Sequence, residues 1–243
     1  IAVTGNIKFD GVAPEREADA AVQWKSKLNI TPETRVLVAG STHEGEEELL
    51  FQVLSSLTRS GTAPMLILAP RDPMRSAAIV ASCGIFGLNA ELMTAVLNRS
   101  PEVHLRPQVV VVDTIGVLKA LYGLADVAFV GGSLVPCGGH NPLEPAIWGK
   151  PVLFGPDMRD FSLISRLLLE ARAAQRVMNG DELLQAVKKL LEDPRSAAEM
   201  GLRGLEVIEV HQGSVDKTLK FLGLITYGDT VDQPWGEAAG PRC

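Results

Sequence analysis

The chain holds 243 residues, 46% of them hydrophobic and 21% charged, with a net charge of −6 at pH 7. That length accommodates one large domain or two small ones, at ~100–200 residues per domain. The acidic balance argues against the basic face a nucleic-acid partner needs, and no apolar run reaches the ~18 residues that cross a bilayer, so the chain as given is expected to be soluble. It begins at Ile1, without Met or a signal-like segment, which reads as a fragment. Three cysteines at wide spacing read as free thiols of a reducing compartment. The four histidines show no zinc spacing.

In chain order, residues 1–10 read as strand and turn, and 14–28 as a helix with Pro14 in its first turn. Six apolar runs follow as candidate strands: 35–40, 64–70, 108–113, 126–132, 150–156 and a weaker 173–178. They are short, rich in Val and nearly continuous in hydrophobicity, as strands buried on both faces should be. Helix-like segments lie between them, at 45–59, about 73–88, 115–124, 142–148 and 160–171. Beyond 180 the pattern is helical throughout: 181–193, 195–211 and 214–225. Alternating strands and helices predict an α/β, Rossmann-like, doubly wound and mostly parallel sheet over residues 14–225. Residues 226–243 lose periodicity and read as a tail.

In such a sheet, ligands lie beyond the carboxyl ends of the strands. The loops that follow the strands are therefore the informative ones. Between Gly131 and Pro156 the chain packs six glycines and five prolines, around "GGHNPLEP". Asn141 is placed to cap a helix, Pro142 to occupy its first position and Glu144 to complete a capping box. Glu144 equally suits two sugar hydroxyls, and both roles stay open. In "DTIG", Asp113 or Thr114 would cap a helix starting at Ile115, and Gly116 leaves room over its free N–H groups. Arg71, in "APRDPMR", is the one cation directly following any of the first four strands, and a guanidinium clamps phosphate well. Its bland alternative is an ion pair with Asp72, while Arg75 reads as solvated. In "GSTHEGEEE", Ser41 and Glu44 form a capping-box pattern, and Glu46, Glu47 and Glu48 make that helix start a poor anion seat. Ser41, Thr42 or His43 could still touch a ligand. His43 and His140 read as cap or packing residues before acid–base groups. The signatures G-x-S-x-G, P-loop and G-x-G-x-x-G are missing.

Together, "VTGNIKFD", "VAGSTHEGEEE", "APRDPMR", "DTIGVL" and "VAFVGGSLVPCGGHNPLEPAIWGKPVLFGPDMRDF" closely resemble the C-terminal half of 3-deoxy-D-manno-octulosonic acid (Kdo) transferases, from about Val3 to Ile225. The resemblance implies the C-terminal domain of a GT-B glycosyltransferase, with residues 1–13 as interdomain linker. It implies transfer of Kdo from CMP-Kdo to a lipid A precursor in lipopolysaccharide biosynthesis, with inversion and without a tightly bound cofactor or metal. By resemblance, Pro70 and Arg71 hold CMP, Ile115, Gly116 and Val117 line it through the backbone, and Asn141, Pro142, Leu143 and Glu144 meet the ribose and phosphate. Two positions depart from the family: Asp72 stands where His is usual, and Val117 where Glu is usual. The family's catalytic base, acceptor site and membrane association, at the cytoplasmic face of the bacterial inner membrane, belong to an N-terminal half this sequence does not contain. The chain alone is thus expected to bind donor and transfer nothing. Rival readings are another GT-B enzyme or sugar-nucleotide epimerase using a uridine nucleotide, or a non-catalytic nucleotide-binding module.

Overall fold

The computed structural model describes residues 3–11, 15–99 and 107–224; Pro14, His104, Cys243 and the expected tail 226–243 lie outside them. Two compact units divide the chain, one of Val12–Glu209 and one of Ile1–Gly11 with Val210–Cys243.

The larger unit runs α1 (Glu15–Lys27), β1 (Val36–Thr42), α2 (Glu46–Arg59), β2 (Met65–Pro70), α3 (Ser76–Cys83), β3 (Ala90–Leu92), α4 (Met93–Leu97), β4 (Val109–Val111), α5 (Leu118–Tyr122), β5 (Val127–Val130), α6 (Leu143–Ala146), β6 (Val152–Phe154), α7 (Ser162–Glu170), β7 (Ala174–Arg176), α8 (Gly180–Glu192) and α9 (Pro194–His211). All strand pairs are parallel, in the order β3-β4-β2-β1-β5-β6-β7. With the short edge strand β3 set aside, the order reverses between β1 and β5, the switch point where such sheets open a crevice.

Alternation of side chains assigns the strands to two cores. Leu37, Ala39, Leu66, Leu68, Val109, Val111, Val127 and Phe129 face one side, against Leu50, Leu54 and Leu57 of α2 and Leu183 and Val187 of α8. Val36, Val38, Met65, Ile67, Val110 and Ala128 face the other, against Leu121 and Tyr122 of α5. Each fully buried side chain of this kind contributes about 1.5–3 kcal/mol. Burial on both faces is why these strands read as continuous apolar runs.

Three local expectations change. The helix expected at 73–88 breaks into a 3₁₀ turn at Pro73–Arg75, α3, and a second 3₁₀ turn at Gly84–Phe86 that ends at Gly87 in the left-handed region. Ala90–Leu92 pairs with Val109–Val111 as β3, a strand of three half-buried residues too short to show a period of two. Residues 3–11 hold a 3₁₀ turn, Ile7–Phe9, where a strand was expected. In that smaller unit Asp10 accepts the N–H groups of Gly213 at 2.5 Å and Val215 at 2.9 Å, fastening the start of α10 (Ser214–Phe221), and Phe9 stacks on His211. No helix of the described residues is long and apolar enough to cross a membrane.

Candidate functional site

At the switch point the end of β1 is deformed. Ser41 sits at φ 56°, a conformation costing a non-glycine residue about 1–2 kcal/mol, and the β1–β2 register shifts between Gly40 and Thr42. The bulge brings Thr42 opposite Pro70, and the Thr42 carbonyl accepts the Arg71 N–H at 2.9 Å. On the other side Gly131 N–H donates to the Gly40 carbonyl at 2.9 Å. A Cβ at Gly131 would lie 2.5 Å from the Ser41 carbonyl oxygen, so only glycine lets the two chains approach.

The acidic run at the start of α2 is consumed by the fold. Glu46, fully buried, accepts four backbone N–H groups: Gly132 at 2.7 Å, Leu134 at 2.9 Å, and His43 and Ser133 at 3.0 Å. Glu47, also buried, receives Arg75 through both guanidinium nitrogens at 2.9 and 3.2 Å and the Thr42 hydroxyl at 3.1 Å. Arg75 is therefore paired, not solvated as expected, and hydrogen bonding to Glu47 pushes its pKa up. The expected Ser41–Glu44 capping box is absent: Gly45, at φ 93°, holds the cap position without a side-chain bond. With Glu46 enclosed by four N–H groups and Glu47 paired to Arg75, the objection to an anion here weakens.

Arg71 is exposed and makes no ion pair among the described residues. Asp72 leaves it free because its carboxylate caps the 3₁₀ turn, accepting the Met74 N–H at 3.0 Å. In the next loop, Asp113 accepts the backbone N–H and hydroxyl of Thr94 at the start of α4, so it does not cap α5 as expected. The helix begins at Leu118 rather than Ile115. This leaves Ile115 exposed, Gly116 at φ 87° as the loop tip, the Thr114 hydroxyl buried without a partner, and Val117 packed against the core.

The "HNPLE" segment divides its duties. The helix starts at Leu143, so Pro142 rather than Asn141 holds the cap position; Asn141 Oδ1 still accepts the Leu143 N–H at 3.1 Å, and Pro142 and Leu143 are buried. Glu144 does not complete a capping box. Its half-buried carboxylate makes no hydrogen bond among the described residues. Burial pushes its pKa up, and the charges of Lys119 and Arg71 pull it back. Arg71, Lys119 and Glu144 thus share one locality, although they come from three different loops and helices. His140 joins them: its Nε2 lies 2.9 Å from His43 Nε2, with the rings 5.2 Å apart and 5° from coplanar. Burial, then His43 and Arg71, lower the His140 pKa to about 4, opposed by Asp160. This histidine pair, the Glu46 clasp, the Arg75–Glu47 pair and Lys119 were not picked out from sequence. Each depends on segments the strand order brings together.

No family model matches the chain. It is 34% identical over 226 residues to the 3-deoxy-D-manno-octulosonic acid transferase of Haemophilus influenzae, covering 90% of this chain and 50% of that protein. It is 30% identical over 223 residues to the transferase of the same name from Bordetella pertussis, again over 90% of this chain and 50% of the relative. The chain is a homologue of the Kdo transferases. The C-terminal CMP-Kdo binding domain of WaaA from Acinetobacter baumannii superposes with a TM-score of 0.73 and 26% identity, covering 80% of this chain and 99% of that one. The Kdo transferase homology and the GT-B type of Rossmann-like fold agree with the sequence reading. The chain spans about half the length of the curated Kdo transferases it matches.

Proposed function

We propose that this chain is the donor half of a Kdo transferase, binding CMP-Kdo at the carboxyl edge of β1, β2, β4 and β5. The observation that carries this reading is Glu144: a half-buried carboxylate without a protein partner, at the switch point, beside an unpaired Arg71. A half-buried acceptor left open suits ribose hydroxyls, and an exposed guanidinium within electrostatic reach of it suits a phosphate. Pro70 and Arg71 would hold the phosphate side, Ile115, Gly116 and Val117 would line the base through the backbone, and Asn141, Pro142, Leu143, Glu144 and Ser41 would complete the wall. Residues 14–225 are the donor domain in this reading, with 1–13 as linker.

The reaction is displacement at the anomeric carbon with inversion. A base in the other half of the enzyme takes the proton of a lipid A precursor hydroxyl, which attacks as CMP departs. Arg71 stabilises the charge gathering on the departing phosphate. That other half also carries the acceptor site and the association with the cytoplasmic face of the inner membrane, so the chain alone binds donor without transferring sugar.

Calorimetric titration with CMP and UMP tests this. CMP should bind more tightly than UMP, and Arg71→Ala should cost about 1.5–3 kcal/mol, the range of a charged hydrogen bond. Equal binding of the two nucleotides, or an Arg71→Ala variant that binds CMP as the parent does, overturns the assignment.

A further inference from the structure

Two imidazoles joined through their Nε2 atoms cannot share a tautomer. One Nε2 carries the bridging hydrogen and the other accepts it; in the neutral pair, the accepting ring then holds its proton on Nδ1, and the donating ring leaves Nδ1 bare. His43 and His140 meet this way at 2.9 Å, and neither Nδ1 has a partner among the described residues. The pair therefore presents one outward N–H donor and one outward lone pair.

Its seat is built. The His43 backbone is held by Glu46 at 3.0 Å. Gly132, at φ 67°, lies against both rings, and a Cβ there would come within 3.0 Å of His140 Cδ2 and 3.3 Å of His43 Cδ2. The charged groups facing His140 are Arg71 and Asp160, with His43 as its ring partner. With its pKa near 4, His140 is uncharged around neutral pH. His140, with Arg71 within electrostatic reach, is the ring of the pair we place nearer the proposed phosphate position.

Resting on the donor-nucleotide reading above, we propose that His140 hydrogen-bonds the phosphate oxygen that leaves the sugar, and that the His43–His140 pair relays a proton to it. The bond from the anomeric carbon to that oxygen breaks, with its electron pair remaining on oxygen. The His140 Nδ1 proton moves to this oxygen, the His43 Nε2 proton crosses to His140 Nε2, and His43 Nδ1 takes a proton from solvent. The acceptor hydroxyl returns one proton to solvent through its base, so the balance closes. Both rings stay neutral throughout and end with tautomers exchanged. A neutral imidazole donor is the form a site must use where burial and a nearby arginine disfavour imidazolium.

Nitrogen-15 histidine NMR of the chain at pH 7 is the first test. One ring should be the Nδ1–H tautomer and its partner the Nε2–H tautomer, with coupling between the two Nε2 atoms. Saturating CMP should shift the Nδ1–H of His140. In binding, His140→Phe should weaken CMP about tenfold to a hundredfold, the range of a hydrogen bond to a charged group, and leave cytidine unchanged. In the full-length enzyme, His43→Phe should lower kcat by at least about tenfold while the donor KM holds. Imidazolium at pH 7, or Arg71-dependent CMP binding indifferent to His140→Phe, overturns the relay and spares the donor-site reading. No CMP binding by the parent chain overturns both.

Discussion

The Glu46 carboxylate accepts the N–H of Gly132 at 2.7 Å across 86 positions of sequence. It thereby ties the first turn of α2 to the loop that leaves β5, on the two sides of the switch point. The same carboxylate takes the N–H groups of Ser133 and Leu134, so the course of the Gly/Pro-rich loop is set from across the crevice. Removing it leaves four donors without their acceptor. Glu46→Gln keeps the shape but turns an NH₂ toward backbone N–H groups, and we expect a loss of at least about 3 kcal/mol in urea unfolding. A loss under about 1 kcal/mol would falsify the clasp.

Arg71 and Arg75, four residues apart, should separate cleanly. Arg75→Ala leaves the buried Glu47 carboxylate without its bidentate partner and should destabilise by about 1.5–3 kcal/mol. Arg71→Ala removes an exposed, unpaired side chain and should change stability by no more than about 0.5 kcal/mol while CMP affinity falls. Thermal melts and CMP titration of both variants check the pair. If Arg71→Ala proved the more destabilising change, the assignment of roles would be reversed.

Two glycines give opposite expectations. At Gly131 an added Cβ meets the Ser41 carbonyl oxygen at 2.5 Å and Thr42 Cα at 2.7 Å, both backbone, so Gly131→Ala should cost at least about 2 kcal/mol. At Gly84 nothing lies within 4 Å and the backbone is helical at φ −60°, so Gly84→Ala should stabilise by about 0.4–1 kcal/mol through the unfolded chain. Chemical denaturation of the two single variants decides, and a harmless Gly131→Ala would count against the close approach of β1 and β5.

Glu144 should trade stability for binding. Burial holds its native pKa above the ordinary 4.5, so the native state keeps a proton that the unfolded state has lost. The stability this confers is complete below about 4.5 and disappears as pH rises through the native value. At neutral pH the carboxylate is then a charge the fold shelters poorly. Glu144→Gln should raise Tm at pH 7.5, leave it unchanged at pH 4, and weaken CMP binding. An equal Tm shift at both pH values would assign the effect to packing instead.

Much of the architecture was legible along the chain, and the reason is local. Strands such as Val36–Thr42 and Met65–Pro70 are buried on both faces, so hydrophobicity alone marks them, and the loops after them could be named as the ligand edge before the strand order was known. Five motifs together, among them those around Arg71 and Asn141–Glu144, carried the Kdo transferase resemblance, which the homologues and the superposed domain support. Only the tertiary structure decided how the charges are spent. In sequence, Glu46 and Glu47 are alike, Glu144 suits a cap and a ligand equally, and Arg75 reads as solvated. In space Glu46 closes on four N–H groups, Glu47 on Arg75, and Glu144 on none. The His43–Glu46 contact is local, but the partners that make the difference come from the loop after β5, the 3₁₀ turn before α3 and the stretch ahead of α6. A carboxylate is a spent structural group or an open site according to which distant donors the strand order delivers to it, and side-chain periodicity carries no information about strand order.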